Sequence, residues 1–172
     1  MKRKKVIFLV QGALIAAMYA AATYLSSVFG IAYGPIQLRF SEALTALAAL
    51  TPAAIPGLTI GCAIGNIGSP MGVLDVALGS VATLIAAVLS YKLKKIKFGK
   101  LPVLSILMPV IFNALIIGAE TVFLMPGAQA SLMAFLINAG EIALGETIIC
   151  LIGGIPLYSA LNKTKIFKEK SL

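Results

Sequence analysis

Residues 38–68 read LRFSEALTALAALTPAAIPGLTIGCAIGNIG, a stretch apolar enough for a lipid bilayer but interrupted by Thr51-Pro52-Ala53-Ala54-Ile55-Pro56. The residue before each proline is pushed out of helical geometry, so the stretch reads as two short helices turned by a proline-bounded hairpin. Each is marginally short of the roughly 20 residues that cross about 30 Å of hydrocarbon. Full crossing or re-entry leads to the same place, because the pair returns the chain to the side it left.

Outward from this hairpin the apolar runs are long. One precedes it, at about 6–29, and three follow, at about 73–91, 101–123 and 132–160. With 60% apolar residues, a mean hydropathy of +1.03 and 12% charged residues, the chain is far too apolar for a water-soluble domain. The expectation is an all-α integral membrane protein of six transmembrane helices. It forms a single transmembrane domain over 1–172, with basic tails at 1–5 and 162–172. The run from Val6 to about Phe29 exceeds a secretory signal core and is followed by more membrane, so it reads as a retained span.

The net charge of +8 is concentrated. Every basic residue except Arg39 falls in one of three clusters: Lys2 to Lys5, Lys92 to Lys100, and Lys163 to Lys170. Six segments place all three on one side, which the positive-inside rule makes the cytoplasm, with both termini there. Clusters of this kind set topology and touch anionic membrane lipid, and they argue against a nucleic-acid partner. The pieces left facing outward are about 30–40, 67–73 and 124–131, and none contains a lysine. Cys62 and Cys150 lie in apolar runs without ligand spacing and read as packing residues.

Polar residues inside these runs carry the functional information. Glu42, Asp75, Glu120, Glu141 and Glu146, with Asn66, Asn113 and Asn138, all lie in apolar surroundings. A carboxylate at the bilayer centre costs about 2.5–3.5 kcal/mol on insertion scales, so five cost roughly 12–17 kcal/mol as an upper bound. A hydrated ligand site offsets such a cost. Helical spacing puts Asn113 and Glu120 on one face, and Asn138, Glu141 and Gly145 on another, with Glu146 rotated away. Most of the set falls in the outer half of the membrane, which implies a cavity open to the outside. Arg39 stands three residues before Glu42, a spacing open to a local ion pair or to a gate on the first outer loop.

Acidic oxygens and amides suit a compact ligand rich in N–H donors or bearing a cation, and Tyr24, Tyr33 and Phe123 offer flat surfaces. A purine-like base fits this inventory. Its donor edge would meet Glu141 and Asn138, and Glu120 or Asp75 would neutralise an attached cation. Small residues write a second pattern, Ala13, Ala17 and Ala21 with Ala16 and Ala20 beside them, and Gly57, Gly61 and Gly65. The glycine ridge reads as internal helix packing; the alanine ridge is open to that or to external docking.

Taken together, Tyr33-Gly34-Pro35-Ile36-Gln37-Leu38-Arg39-Phe40-Ser41-Glu42-Ala43-Leu44, Thr51-Pro52-Ala53-Ala54-Ile55-Pro56-Gly57-Leu58, Asn66, Leu74-Asp75, Gly79-Ser80, Phe112-Asn113-Ala114-Leu115 and Gly145-Glu146 resemble the QueT family. Its members are substrate-binding S components of energy-coupling factor (ECF) transporters for queuosine precursors, which are deazaguanine bases. The resemblance implies a six-helix S-component bundle in the plasma membrane, with an outward site gated by the first loop. It also implies an alanine-rich first helix, here Ala13, Ala16, Ala17 and Ala20, docking on a transmembrane coupling subunit driven by two cytoplasmic ATPases. By this reading the site residues are Tyr33, Arg39, Glu42, Asn66, Asp75, Asn113, Glu120, Asn138, Glu141 and Glu146, with no cofactor or metal.

No P-loop motif is present, the nearest run being Gly99-Lys100-Leu101, and the chain has no histidine. An enzymatic role therefore has no residues to carry it. Three alternatives stay open: a stand-alone proton-coupled transporter using Glu120 or Glu141, an S component for another vitamin-like ligand, or a scaffold whose acids only pair helices.

Overall fold

The computed structural model describes residues 2–125, 130–164 and 167. Lys165, Lys168 and Lys170 of the closing basic tail, and residues 126–129 of the outward piece expected at 124–131, lie outside the described residues.

Among the described residues every regular element is a helix. The elements are α1 (Lys2–Val28), a 3-10 helix (Phe40–Ala49), α2 (Ala54–Gly68), α3 (Val73–Leu93), α4 (Val103–Leu124) and α5 (Leu132–Thr164). Four of them, α1, α3, α4 and α5, are long and apolar enough to cross a membrane. The central hairpin is present as expected, with its turn held by Thr51: the Ala53 N–H donates to its hydroxyl at 3.3 Å, and the hydroxyl bonds Gln11 Oε1 of α1 at 3.2 Å.

The first arm of the hairpin differs from the expected α-helix. Its 10 residues are wound as a 3-10 helix, which at about 2.0 Å rise per residue reaches about 20 Å where an α-helix would reach about 15 Å. Nearly all of it is buried, with only Phe40 and Ala43 outside the core. It packs against α1, α2, α3 and α5, which surround it. A segment sheathed by protein need not match the bilayer in length, because lipid never meets its backbone. Three-fold winding also stacks every third side chain, so Glu42 and Thr45 share a face, and the Thr45 hydroxyl donates to the Glu42 carbonyl at 2.5 Å.

The glycine ridge packs inward, as the spacing predicts. A Cβ on Gly57 would stand 2.7 Å from the Gly12 carbonyl, one on Gly61 2.7 Å from Tyr19 Cβ, and one on Gly65 2.9 Å from Thr23 Cβ. Helices α1 and α2 therefore touch backbone to backbone. The alanine ridge splits along this contact. Ala16 and Ala20 are buried, Ala16 against Gly61 of α2, whereas Ala13, Ala17 and Ala21 are exposed, as are Leu14, Met18 and Leu25. Of the four alanines expected to dock, Ala13 and Ala17 face outward, and Ala16 and Ala20 are buried within the chain.

Helix α4 breaks at Leu107 because Pro109 has no N–H to offer the Ser105 carbonyl one turn back. The freed carbonyl accepts from the Ser90 hydroxyl of α3 at 2.6 Å, and the Ser105 hydroxyl returns the bond to the Ser90 carbonyl at 2.7 Å. Both serines are buried, so this reciprocal pair fixes α3 and α4 together near the end of the bundle that carries the middle lysine cluster.

Candidate functional site

At the other end of the bundle, Gly72 takes φ 63°, a left-handed conformation suited to glycine, and starts α3 so that Asp75 lies in its first turn. A carboxylate there is favoured by the helix N-terminus. Asp75 Oδ2 lies 3.6 Å from Arg39 Nη2, and both side chains are almost fully buried. The guanidinium is further fixed by donating from Nε to the Ala32 carbonyl at 2.8 Å and from Nη1 to Asn66 Oδ1 at 3.2 Å. Asn66 closes the ring by donating to the Asp75 backbone carbonyl at 2.9 Å. Arg39 therefore ties the first loop to α2 and α3, and the local ion pair with Glu42 is replaced by this longer-range one.

Tyr33 covers the arrangement. Its ring lies 5.1 Å from the guanidinium carbon, and its hydroxyl donates to the Gly65 carbonyl at 2.7 Å. Burial raises the Tyr33 hydroxyl above its ordinary value, partly opposed by Arg39, so it stays a neutral donor.

Beneath this loop is a cavity of about 200 Å³ lined by Tyr33, Gln37, Ser69, Asp75, Thr121 and Asn138, with Ile117, Met125 and other residues as apolar wall. Asp75 Oδ1 and Asn138 Oδ1 have no hydrogen-bond partner among the described residues. Neither oxygen of Glu120 has one; Glu120 is buried at the first position of a π-turn (Glu120–Leu124) and immediately precedes Thr121 in the cavity wall. π-turns inside α-helices often mark functional positions, because they rotate a side chain out of helical register. The unpartnered buried atoms here are oxygens of Asp75, Glu120 and Asn138 and one donor, Arg39 Nη2, while the amides of Gln37 and Asn138 also bring donors to the lining.

A second polar group sits between α1, the 3-10 helix, α4 and α5. Tyr19 donates its hydroxyl to Glu42 Oε1, and Asn113 Nδ2 donates to Glu146 Oε1 at 2.6 Å. Thr23 and Ser41 join hydroxyls at 2.8 Å between the same α1 and 3-10 helix. Glu42 Oε2 and Glu146 Oε2 remain without partners among the described residues. None of Glu42, Asn113 and Glu146 lines the 200 Å³ cavity; they are buried in two hydrogen-bonded pairs, Tyr19–Glu42 and Asn113–Glu146.

The expected site residues thus divide. Tyr33, Asp75 and Asn138 line the cavity; Arg39 and Asn66 bond to each other and to Asp75, and Glu120 precedes Thr121 of the wall; Glu42, Asn113 and Glu146 are buried in the two other hydrogen-bonded pairs. Glu141 joins neither, being half-buried and outside the cavity lining; Gly145, expected on its face, is instead pressed against the Gln37 carbonyl. Tyr24 and Phe123 also point away: Tyr24 is 41% exposed and donates to the Ile64 carbonyl, and Phe123 is 52% exposed with its ring 6.1 Å from that of Phe135. Tyr19, Gln37, Ser69 and Thr121 were not legible as polar site residues, since each is a lone hydroxyl or amide with no spacing partner. Among the described residues no group of three or more His, Cys, Asp or Glu side chains gathers as a metal site.

Comparison with known proteins supplies a further finding. The model of a family described as QueT transporter matches residues 9–163. A curated protein of Lactococcus lactis subsp. cremoris (strain MG1363), the queuosine precursor transporter QueT, is 40% identical over 85 residues. That match covers 49% of this chain and 50% of the relative, so the aligned part spans about half the length of the curated protein. No solved structure matches the chain.

Proposed function

Because this chain belongs to the QueT transporter family, we propose that it is the binding subunit of an importer for queuosine precursors, compact deazaguanine bases. The observation that carries this reading is the cavity of about 200 Å³ beneath the first loop, with its unpartnered Asp75 and Asn138 oxygens and the Glu120 carboxylate beside it. It is smaller than the roughly 300–1,000 Å³ of drug-sized sites, and its Asp75 and Asn138 acceptors suit a small planar ligand that brings its own N–H groups. Asp75 and Asn138 take the donor edge of the base, with Glu120 neutralising an attached cation where the precursor has one. Glu141, expected for this role, gives it up to Asp75.

In this reading the lysine-bearing end is cytoplasmic and the cavity opens outward, by the positive-inside rule. The first loop closes over the ligand, with Arg39 and Tyr33 as its anchors. Energy comes from ATPase partners through an ECF coupling subunit, since the chain carries no P-loop of its own. The exposed Ala13 and Ala17 are the part of the alanine ridge free to meet that subunit.

Calorimetric titration of the detergent-purified chain with deazaguanine bases, with and without an aminomethyl group, tests the reading. Asp75→Asn should weaken binding about tenfold or more, because a hydrogen bond to a charged group is worth about 1.5–3 kcal/mol. Full affinity in a folded variant removes Asp75 from the site. A proton-coupled transporter is the second reading, favoured by the two unpartnered oxygens of buried Glu120. Uptake that survives loss of every ATPase but collapses with the proton gradient would select it.

A further inference from the structure

A larger cavity, of about 420 Å³, opens at the opposite end of the bundle from the first. It lies where the end of the 3-10 helix, the segment after α3 and the last turns of α5 meet. Lys94, Lys95 and Lys97 line one side, and no carboxylate lines it among the described residues. Tyr158 is also among the lining residues and is 4% exposed. Leu50, Leu161 and Phe167 add apolar lining.

We propose that this cavity holds the phosphate head group of an anionic phospholipid, with the glycerol and the first acyl carbons against Leu50 and Leu161. Three lysines, with no carboxylate beside them among the described residues, supply the attraction, and Tyr158 in the lining brings a hydroxyl that can donate to a phosphate oxygen. Basic pockets between membrane helices have this chemistry. Two further side chains favour lipid over a soluble anion: Ile96 and Phe98 alternate with Lys95 and Lys97 and are 48% and 69% exposed. Apolar side chains interleaved with cations belong at the head-group boundary, where the rings and chains sink and the ammonium groups stay wet. The cation of Lys94 is already steadied, 3.6 Å from the centre of the Tyr91 ring.

Native mass spectrometry of the full chain, released from detergent with equal amounts of phosphatidylglycerol and phosphatidylcholine, tests the proposal. The expected result is a retained phosphatidylglycerol adduct, favoured by about tenfold or more, that the combined Lys94→Gln, Lys95→Gln and Lys97→Gln variant loses. The same three positions changed to Arg should keep it, as should a charge-matched control, Arg3→Gln with Lys4→Gln and Lys5→Gln, which also shows that lowered net charge alone is not the cause. Tyr158→Phe should weaken the adduct several-fold. Equal adducts of the two lipids, or an undiminished preference in the glutamine variant, would overturn the proposal. Displacement of the lipid by millimolar inorganic phosphate would overturn it too, by showing a site for soluble anions.

Discussion

Replacing Arg39 with methionine removes the guanidinium that pairs with Asp75 while keeping most of the side-chain volume. Arg39 and Asp75 are 4% and 3% exposed as side chains, and their nearest charged atoms are 3.6 Å apart. At that distance and an effective dielectric of about 20, the attraction is roughly 4–5 kcal/mol. Removing one partner of a buried pair costs about 3–5 kcal/mol, because the other charge is left uncompensated. The substitution also strands Asn66 Oδ1 and the Ala32 carbonyl, which accept from the guanidinium. We expect Arg39→Met to lose about 3–5 kcal/mol in equilibrium unfolding by sodium dodecyl sulfate in mixed micelles, followed by far-ultraviolet circular dichroism. Asp75→Asn in the same background should recover part of it, giving a coupling energy of about 1–3 kcal/mol in the double-mutant cycle. A single-variant cost under about 1 kcal/mol would put this contact with solvent-exposed ion pairs and refute the argument, and strictly additive losses would do the same.

Gly61→Ala should destabilise the chain by about 1–3 kcal/mol in the same assay, since the new Cβ would meet Tyr19 Cβ at 2.7 Å and the Ala16 carbonyl at 2.8 Å, forcing α1 to retreat; stability equal to that of the parent would show that the helices are not in contact there. Asn113→Leu takes from Glu146 the amide that donates at 2.6 Å and should cost about 1–3 kcal/mol, most of it returned by adding Glu146→Leu. No recovery in the double variant would mean that the two side chains do not act as a pair. Ala17→Trp should leave ligand affinity unchanged but abolish uptake in cells, whereas Ala16→Trp should fail to fold, because Ala16 is buried against α2. Normal uptake by the Ala17 variant would deny that the exposed ridge docks on a partner.

The polar groups of the candidate site are legible in kind and only partly in place. Carboxylates and amides inside apolar runs stand out because hydrocarbon offers them nothing, and of these Asp75 and Asn138 come together in the cavity lining. The face shared by Asn138, Glu141 and Gly145 does not point one way along its length: Asn138 lines the cavity, Gly145 meets the first loop, and Glu141 is outside the lining. Tyr19 was missed because a lone tyrosine in an apolar helix reads as packing, and only the approach of the 3-10 helix shows that its hydroxyl meets Glu42.

Composition and local pattern alone settled that this chain lives in a bilayer, where its long spans run, where the proline hairpin turns and which glycines let two helices touch. Each of those follows from transfer free energies or backbone sterics acting within one or two helical turns. Tertiary structure alone decided that Arg39 answers Asp75 rather than Glu42, that Ala16 and Ala20 turn inward, and that the acids separate between a cavity and buried hydrogen-bonded pairs. Those outcomes depend on which helices lie side by side and on a 3-10 winding that restacks the side chains of Phe40–Ala49, and neither is encoded in the spacing of any single segment.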